Sequence, residues 1–108
     1  MATIKSIDSK TAQKWLANGE AVLVDVREKS EHTEVCIRDA HLIPVDKISV
    51  EKLPEAAKNK KIIVHCKLGG RSQKACAKLL AEDVDLDLYN LEGGIEAWEA
   101  AGLPVAKS

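Results

Sequence analysis

A chain of 108 residues, 45% hydrophobic and 31% charged, has room for one globular domain, residues 1–108, and little else. Its net charge of -1, with Lys and Arg spread along the chain, argues against a nucleic acid or a membrane surface recognised through bulk charge. Three cysteines, an odd number without C-x-x-C spacing, make neither a disulfide framework nor a zinc site, and a reducing, cytoplasmic compartment is expected.

The segment from Met1 to Lys5 lacks the basic start and apolar stretch of a secretory signal, so none is expected. No apolar run approaches the ~20 residues that span a bilayer. Ser6 to Ser9 opens a first helix. Ala12, Trp15 and Leu16 form its apolar stripe, and Gly19 is placed to end it. Ala21 to Val26 is a nearly continuous apolar run of strand length, as in a parallel sheet buried on both faces. The polar segment Arg27 to Glu34 suits a short helix, and Ala40 to Val45 is a short apolar stretch. Ser49 to Lys58 reads as another helix, with Pro54 inside it, and the Lys58 to Lys61 region as a solvated turn. Ile62 to Val64 is the second clear strand. Ser72 caps a helix running to about Glu82, with Ala75, Cys76, Leu79 and Leu80 on its apolar face. Leu86 to Leu91 is a strand and Gly93-Gly94 a turn. Ile95, Trp98 and Ala101 mark a last helix stopped by Gly102 and Pro104. Alternating strands and helices predict an α/β sandwich: a mostly parallel central sheet flanked by helices.

The order Ile62-Ile63-Val64-His65-Cys66-Lys67-Leu68-Gly69-Gly70-Arg71-Ser72 places a thiol at the mouth of a strand–loop–helix turn. Loop N–H groups and a helix start are positive there and lower a thiol pKa, which makes Cys66 a reactive thiolate rather than a packed hydrophobe. Ligand sites of such sheets lie beyond the carboxyl ends of the strands. Asp25 and Arg27 stand at one such end and Cys66 at another, so two separate segments converge on one crevice. Asp25 is expected to accept hydrogen bonds from loop amides or a basic side chain. Arg27 is expected to pair with Glu28, Glu31 or Glu34. Strand alternation turns His65 away from the loop if Cys66 faces into it. Cys76 reads as core, with a resolving thiol as the alternative; Cys36 reads as a small apolar filler or a second redox thiol. His32 and His41 have no metal-ligand spacing, and Trp98 reads as core.

Three blocks resemble the rhodanese family of sulfurtransferases. They are Val22 to Glu28, the loop Cys66 to Ser72, and Leu91 to Trp98 continuing through Ala101 to Val105. The resemblance implies a rhodanese-like three-layer α/β sandwich and no metal or organic cofactor. It departs between Glu31 and Pro44. His32 stands where the family has an aromatic, and Val35 to Ala40 replaces a Gly-His-Ile-Pro-Gly-Ala stretch. In the family, a basic residue after the cysteine, glycine at the fourth loop place and arginine or threonine at the sixth go with thiosulfate as donor. Lys67, Gly69 and Arg71 hold those places.

The implied chemistry is a two-step exchange. Cys66 takes the outer sulfur of thiosulfate as a persulfide, and cyanide or a thiol then removes it. Lys67 is expected to act as a mobile charge on the donor, and Arg71 to tie the loop or grip an oxyanion. Leu68, Gly69, Gly70 and Ser72 complete the binding loop, supported by Asp25 and Arg27. Three other functions stay open: a persulfide carrier serving a protein acceptor, a cysteine-dependent phosphatase or arsenate reductase, and a non-catalytic binding module. Against the phosphatase, only Lys67, Leu68, Gly69 and Gly70 separate the cysteine from the arginine, four residues where cysteine phosphatases keep five.

Overall fold

The computed structural model describes residues 4–107. In chain order these form β1 (Lys5–Ile7), α1 (Ser9–Ala17), β2 (Ala21–Asp25), α2 (Lys29–Glu34), β3 (Val35–Cys36) and β4 (His41–Leu42). Two 3-10 turns follow, Val50–Lys52 and Glu55–Asn59, then β5 (Lys61–His65), α3 (Gly70–Glu82), β6 (Leu88–Leu91), α4 (Gly94–Ala100) and β7 (Ala106–Lys107). The fold is α/β, with a five-stranded parallel sheet in the order β1-β6-β5-β2-β4 and a small antiparallel pair of β3 with β7.

Every residue of β2 is buried, as is all of β5 after Lys61. This is why both read as unbroken apolar runs: each face of the sheet is covered. Val22, Val24 and Val26 join Ile62, Val64 and Cys66 under α3 and the 3-10 turns. On the other face Ala21, Leu23 and Ile63 pack against Ala12 and Trp15 of α1 and Ile95 and Trp98 of α4. Trp98 is core, as expected, and its indole N–H donates to the Pro104 carbonyl at 2.8 Å, which fastens the segment after α4.

Several local expectations are corrected. Lys5–Ile7 is a strand rather than a helix start; Asp8 caps α1 through a 2.8 Å bond from the Thr11 N–H. Three residues carry too little pattern to declare a strand, and β1 exists because it pairs with Tyr89–Leu91 of β6. Residues 49–58 form no single helix. Leu53, forced to ψ 146° ahead of Pro54, separates the two 3-10 turns. Gly69, not Ser72, is the N-cap of α3. Lys61 begins β5 rather than ending a solvated turn, and its ammonium lies 5.2 Å from the Trp15 ring centre. In the stretch that departs from the family pattern, Asp39 takes φ +68°, a left-handed turn position that Asp tolerates better than most side chains.

β2 and β5 end in register, Asp25 beside His65, and the Val26 N–H donates to the His65 carbonyl at 3.0 Å. The chain therefore leaves both strands at one edge of the sheet, where β6 ends with Asn90 and Leu91.

Candidate active site

Cys66 is the first residue beyond β5 and only 1% exposed. Gly69 adopts φ +118°, a value open to glycine and costly for other residues. That turn starts α3 and aims the Gly69 N–H back at Cys66 Sγ, 3.0 Å away. The Ser72 hydroxyl, in the first turn of α3, lies 3.4 Å from the same sulfur. Burial, the largest single influence, opposes ionisation of Cys66. The Ser72 hydroxyl and the N–H groups of Ser72, Gly69 and Leu68 together outweigh it and hold the thiol below its ordinary pKa.

The start of α4 holds this loop from behind. The Ile95 and Glu96 N–H groups donate to the Cys66 and Lys67 carbonyls at 3.0 and 3.2 Å. Gly94, at φ +59°, packs against the same carbonyls. With these carbonyls engaged by α4, the next N–H groups of the loop are left for the sulfur.

Ser72 touches a residue that the sequence reading passed over. Its Oγ lies 2.5 Å from Asn90 Oδ1 and 3.1 Å from the Gly69 carbonyl. Asn90 Nδ2 in turn donates to Gln73 Oε1 at 2.9 Å and lies 3.4 Å from the Gly69 carbonyl. Asn90 is buried and Gln73 exposed. The signal was present: Asn90 is the lone amide between Tyr89 and Leu91, at the buried end of a strand.

Asp25 and His65 face the opposite side of the sheet from Cys66. Asp25 is fully buried and takes four bonds from Arg27: the backbone N–H at 3.0 Å, Nε to Oδ1 at 3.0 Å and to Oδ2 at 3.3 Å, and Nη2 at 2.9 Å. Arg27 Nη2 also donates to the Val35 carbonyl at 2.6 Å, and His32 Nδ1 lies 2.8 Å from Asp25 Oδ2. Asp25 is thus the acceptor that was expected, whereas Arg27 pairs with it and not with Glu28, Glu31 or Glu34. Burial pushes the Asp25 carboxyl up, but the Arg27 hydrogen bonds and its histidine neighbours hold its pKa below the ordinary value. His65 is fully buried, its pKa lowered chiefly by burial, and among the described residues its Nε2 has no hydrogen-bond partner.

Glu31 instead reaches the cysteine loop. Its two oxygens accept from Arg71 Nη1 and Nη2 at 2.7 and 2.9 Å, clamping the start of α3 to α2. Arg71 holds the Glu31 carboxyl down at about 2. Arg71 is thus bonded to Glu31 on α2 rather than left pointing free at the cysteine. Lys67 is exposed, with Nζ 3.7 Å from Glu96 Oε2, and Leu68 is 63% exposed at the rim. All three cysteines are free; burial pushes the Cys76 thiol up to about 12, and Cys36 is half-buried on β3. Among the described residues no group of three or more His, Cys, Asp or Glu is placed to hold a metal ion, and no helix is long and apolar enough to cross a membrane.

The family model for the rhodanese-like domain matches residues 8–101. A sulfurtransferase of Allochromatium vinosum is 37% identical over 103 residues, which cover 94% of this chain and 94% of that protein. The thiosulfate sulfurtransferase GlpE of Vibrio cholerae is 28% identical over 102 residues, 94% of each chain. The crystal structure of the BH2092 protein of Bacillus halodurans superposes with a TM-score of 0.81 at 28% identity, covering 95% of this chain and 77% of that one.

Proposed function

This chain belongs to the rhodanese-like domain family and has a sulfurtransferase-type function, and from that premise we propose that it moves sulfane sulfur from thiosulfate to a thiophilic acceptor through a persulfide on Cys66. The observation that carries the reading is the surroundings of Cys66 Sγ: a 3.0 Å bond from the Gly69 N–H, the Ser72 hydroxyl at 3.4 Å, and a thiol pKa below the ordinary value.

The Cys66 thiolate attacks the outer sulfur of thiosulfate. A new S–S bond forms as the old one breaks, and sulfite leaves with the bonding pair. No proton moves in this step, and the negative charge passes to the outer sulfur of the persulfide. The N–H groups that favour the thiolate also suit that charge. Cyanide, or a thiolate, then attacks the outer sulfur and restores the Cys66 thiolate. Arg71 is committed to Glu31, so Lys67, at the open rim, is the side chain assigned to the incoming dianion. Gly70 and Leu68 supply loop backbone, and Asp25 with Arg27 braces the edge of the sheet from its other face. The GlpE relative is named for thiosulfate, which supports that donor here.

Intact-protein mass spectrometry tests the reading. Thiosulfate should add one sulfur to the reduced chain, cyanide should remove it as thiocyanate, and Cys66→Ser should take up none. A wild-type chain that gains no sulfur while Cys66 still reacts with iodoacetamide would sink the thiosulfate assignment.

A further inference from the structure

One proton serves the Ser72 hydroxyl, yet three acceptors surround it: Cys66 Sγ at 3.4 Å, the Gly69 carbonyl at 3.1 Å and Asn90 Oδ1 at 2.5 Å. With Asn90 Oδ1 facing it at the shortest of these distances, Ser72 gives its proton to Asn90 while the thiol is neutral, and the hydroxyl oxygen is left to accept from the sulfur. This arrangement suits a neutral thiol, which itself donates to Ser72 Oγ. It does not suit a thiolate, which needs a donor.

We propose that Asn90 is a positioning residue for Cys66, and that its side-chain amide turns over when the thiol ionises so that Ser72 donates to the sulfur. The proposal rests on Cys66 being the reacting thiolate. In the ionised arrangement the thiol proton has left to water. Asn90 Nδ2 faces Ser72 Oγ and donates to it, and the Ser72 proton swings to Sγ. Asn90 Oδ1 now faces Gln73, whose exposed side-chain amide is free to turn and donate. The Gly69 carbonyl keeps the Gln73 backbone N–H at 3.2 Å, so it is not stranded. Each arrangement is a continuous chain of donors and acceptors. The ionised one ends on a charge, and charge-assisted hydrogen bonds are the stronger kind. The chain therefore favours the thiolate.

The geometry supports a direct link. Asn90 follows Leu88 by two residues on β6, which places it on the α3 face of the sheet, as is Cys66 just beyond the neighbouring β5. Gln73 comes one residue after Ser72 in α3, so the relay joins two elements across the mouth of the cysteine loop.

The test is the pH profile of iodoacetamide alkylation at Cys66, read by peptide mass spectrometry on the full chain with Ser72→Ala, Asn90→Ala, the double variant and Gln73→Ala. Asn90→Ala should raise the Cys66 midpoint by about one unit, a tenfold loss of thiolate below the midpoint. Ser72→Ala should raise it as much or more, and the double variant should match Ser72→Ala alone. Gln73→Ala, at an exposed position, should raise it by a smaller amount and serves if the Asn90 variant does not fold. Unchanged midpoints in folded Asn90→Ala or Gln73→Ala, or full additivity of the Asn90 and Ser72 effects, would overturn the relay. Alkylation needs no sulfur donor. A wild-type chain that takes no sulfur from thiosulfate would refute the proposed function and leave the relay standing, and an unmoved midpoint would do the reverse.

Discussion

A β-carbon on Gly94 would lie 2.5 Å from the carbonyl oxygen of Cys66 and 2.4 Å from that of Lys67. The double glycine after β6 is thus part of the cysteine loop's support, although Gly94 lies 28 positions along the chain from Cys66. Gly94→Ala should lower stability by about 3 kcal/mol or more, because backbone strain at φ +59° adds to an overlap with backbone atoms that cannot rotate away. Denaturant unfolding measures the loss. An unchanged midpoint would mean that the loop can move off α4 freely.

Cys66→Ser should remove sulfur transfer and leave the fold intact, since the hydroxyl is close in size to the thiol and the neighbouring donors remain. Thiocyanate formation and the unfolding midpoint are the two readouts. Substantial turnover in this variant would place the nucleophile elsewhere.

Lys67→Ala should raise KM for thiosulfate about three- to fivefold with little effect on the unfolding midpoint, the size expected of one exposed charge contact. Its present partner is Glu96 at 3.7 Å on an exposed surface, so the ammonium is free to turn to a dianion. Steady-state kinetics decide; an unchanged KM would take Lys67 out of the donor site.

The Glu31–Arg71 clamp makes stability acid-sensitive in a defined window. Glu31 falls from an ordinary 4.5 to about 2 in the folded chain, so the folded state holds its charge where the unfolded state has begun to take up a proton. The stabilisation is complete above about 4.5 and is lost as pH falls through about 2. Glu31→Gln should therefore lower Tm at pH 6 and converge on the wild type near pH 2. Parallel Tm curves across that range would mean that the pair contributes nothing that titrates.

Native-state alkylation should distinguish the cysteines. Cys66, with a lowered pKa, should react at pH 8, whereas Cys76, fully buried with its thiol pushed up to about 12, should react only on unfolding. Early labelling of Cys76 in the folded chain would contradict its place in the core.

The two central strands, the cysteine loop and the last helix are legible in the chain itself, because each is set by local physics. β2 and β5 are buried on both faces and must be apolar throughout. Gly69 must take a left-handed turn, and Gly102 and Pro104 end the last helix. Cys66 stands out for the same reason, as a thiol at the joint between a buried run and two glycines. Short paired elements escape such a reading. β1 and the β3–β7 pair have two or three residues each and exist only through their partners. The partners of charged groups escape it too. Arg71 finds Glu31 across 40 positions, Arg27 turns back to Asp25, and Ser72 meets Asn90 rather than an open helix end. A sequence fixes which side chains carry charge and hydrogen bonds; which of them share a buried space depends on how the sheet and helices close around it, and only the tertiary structure decides that.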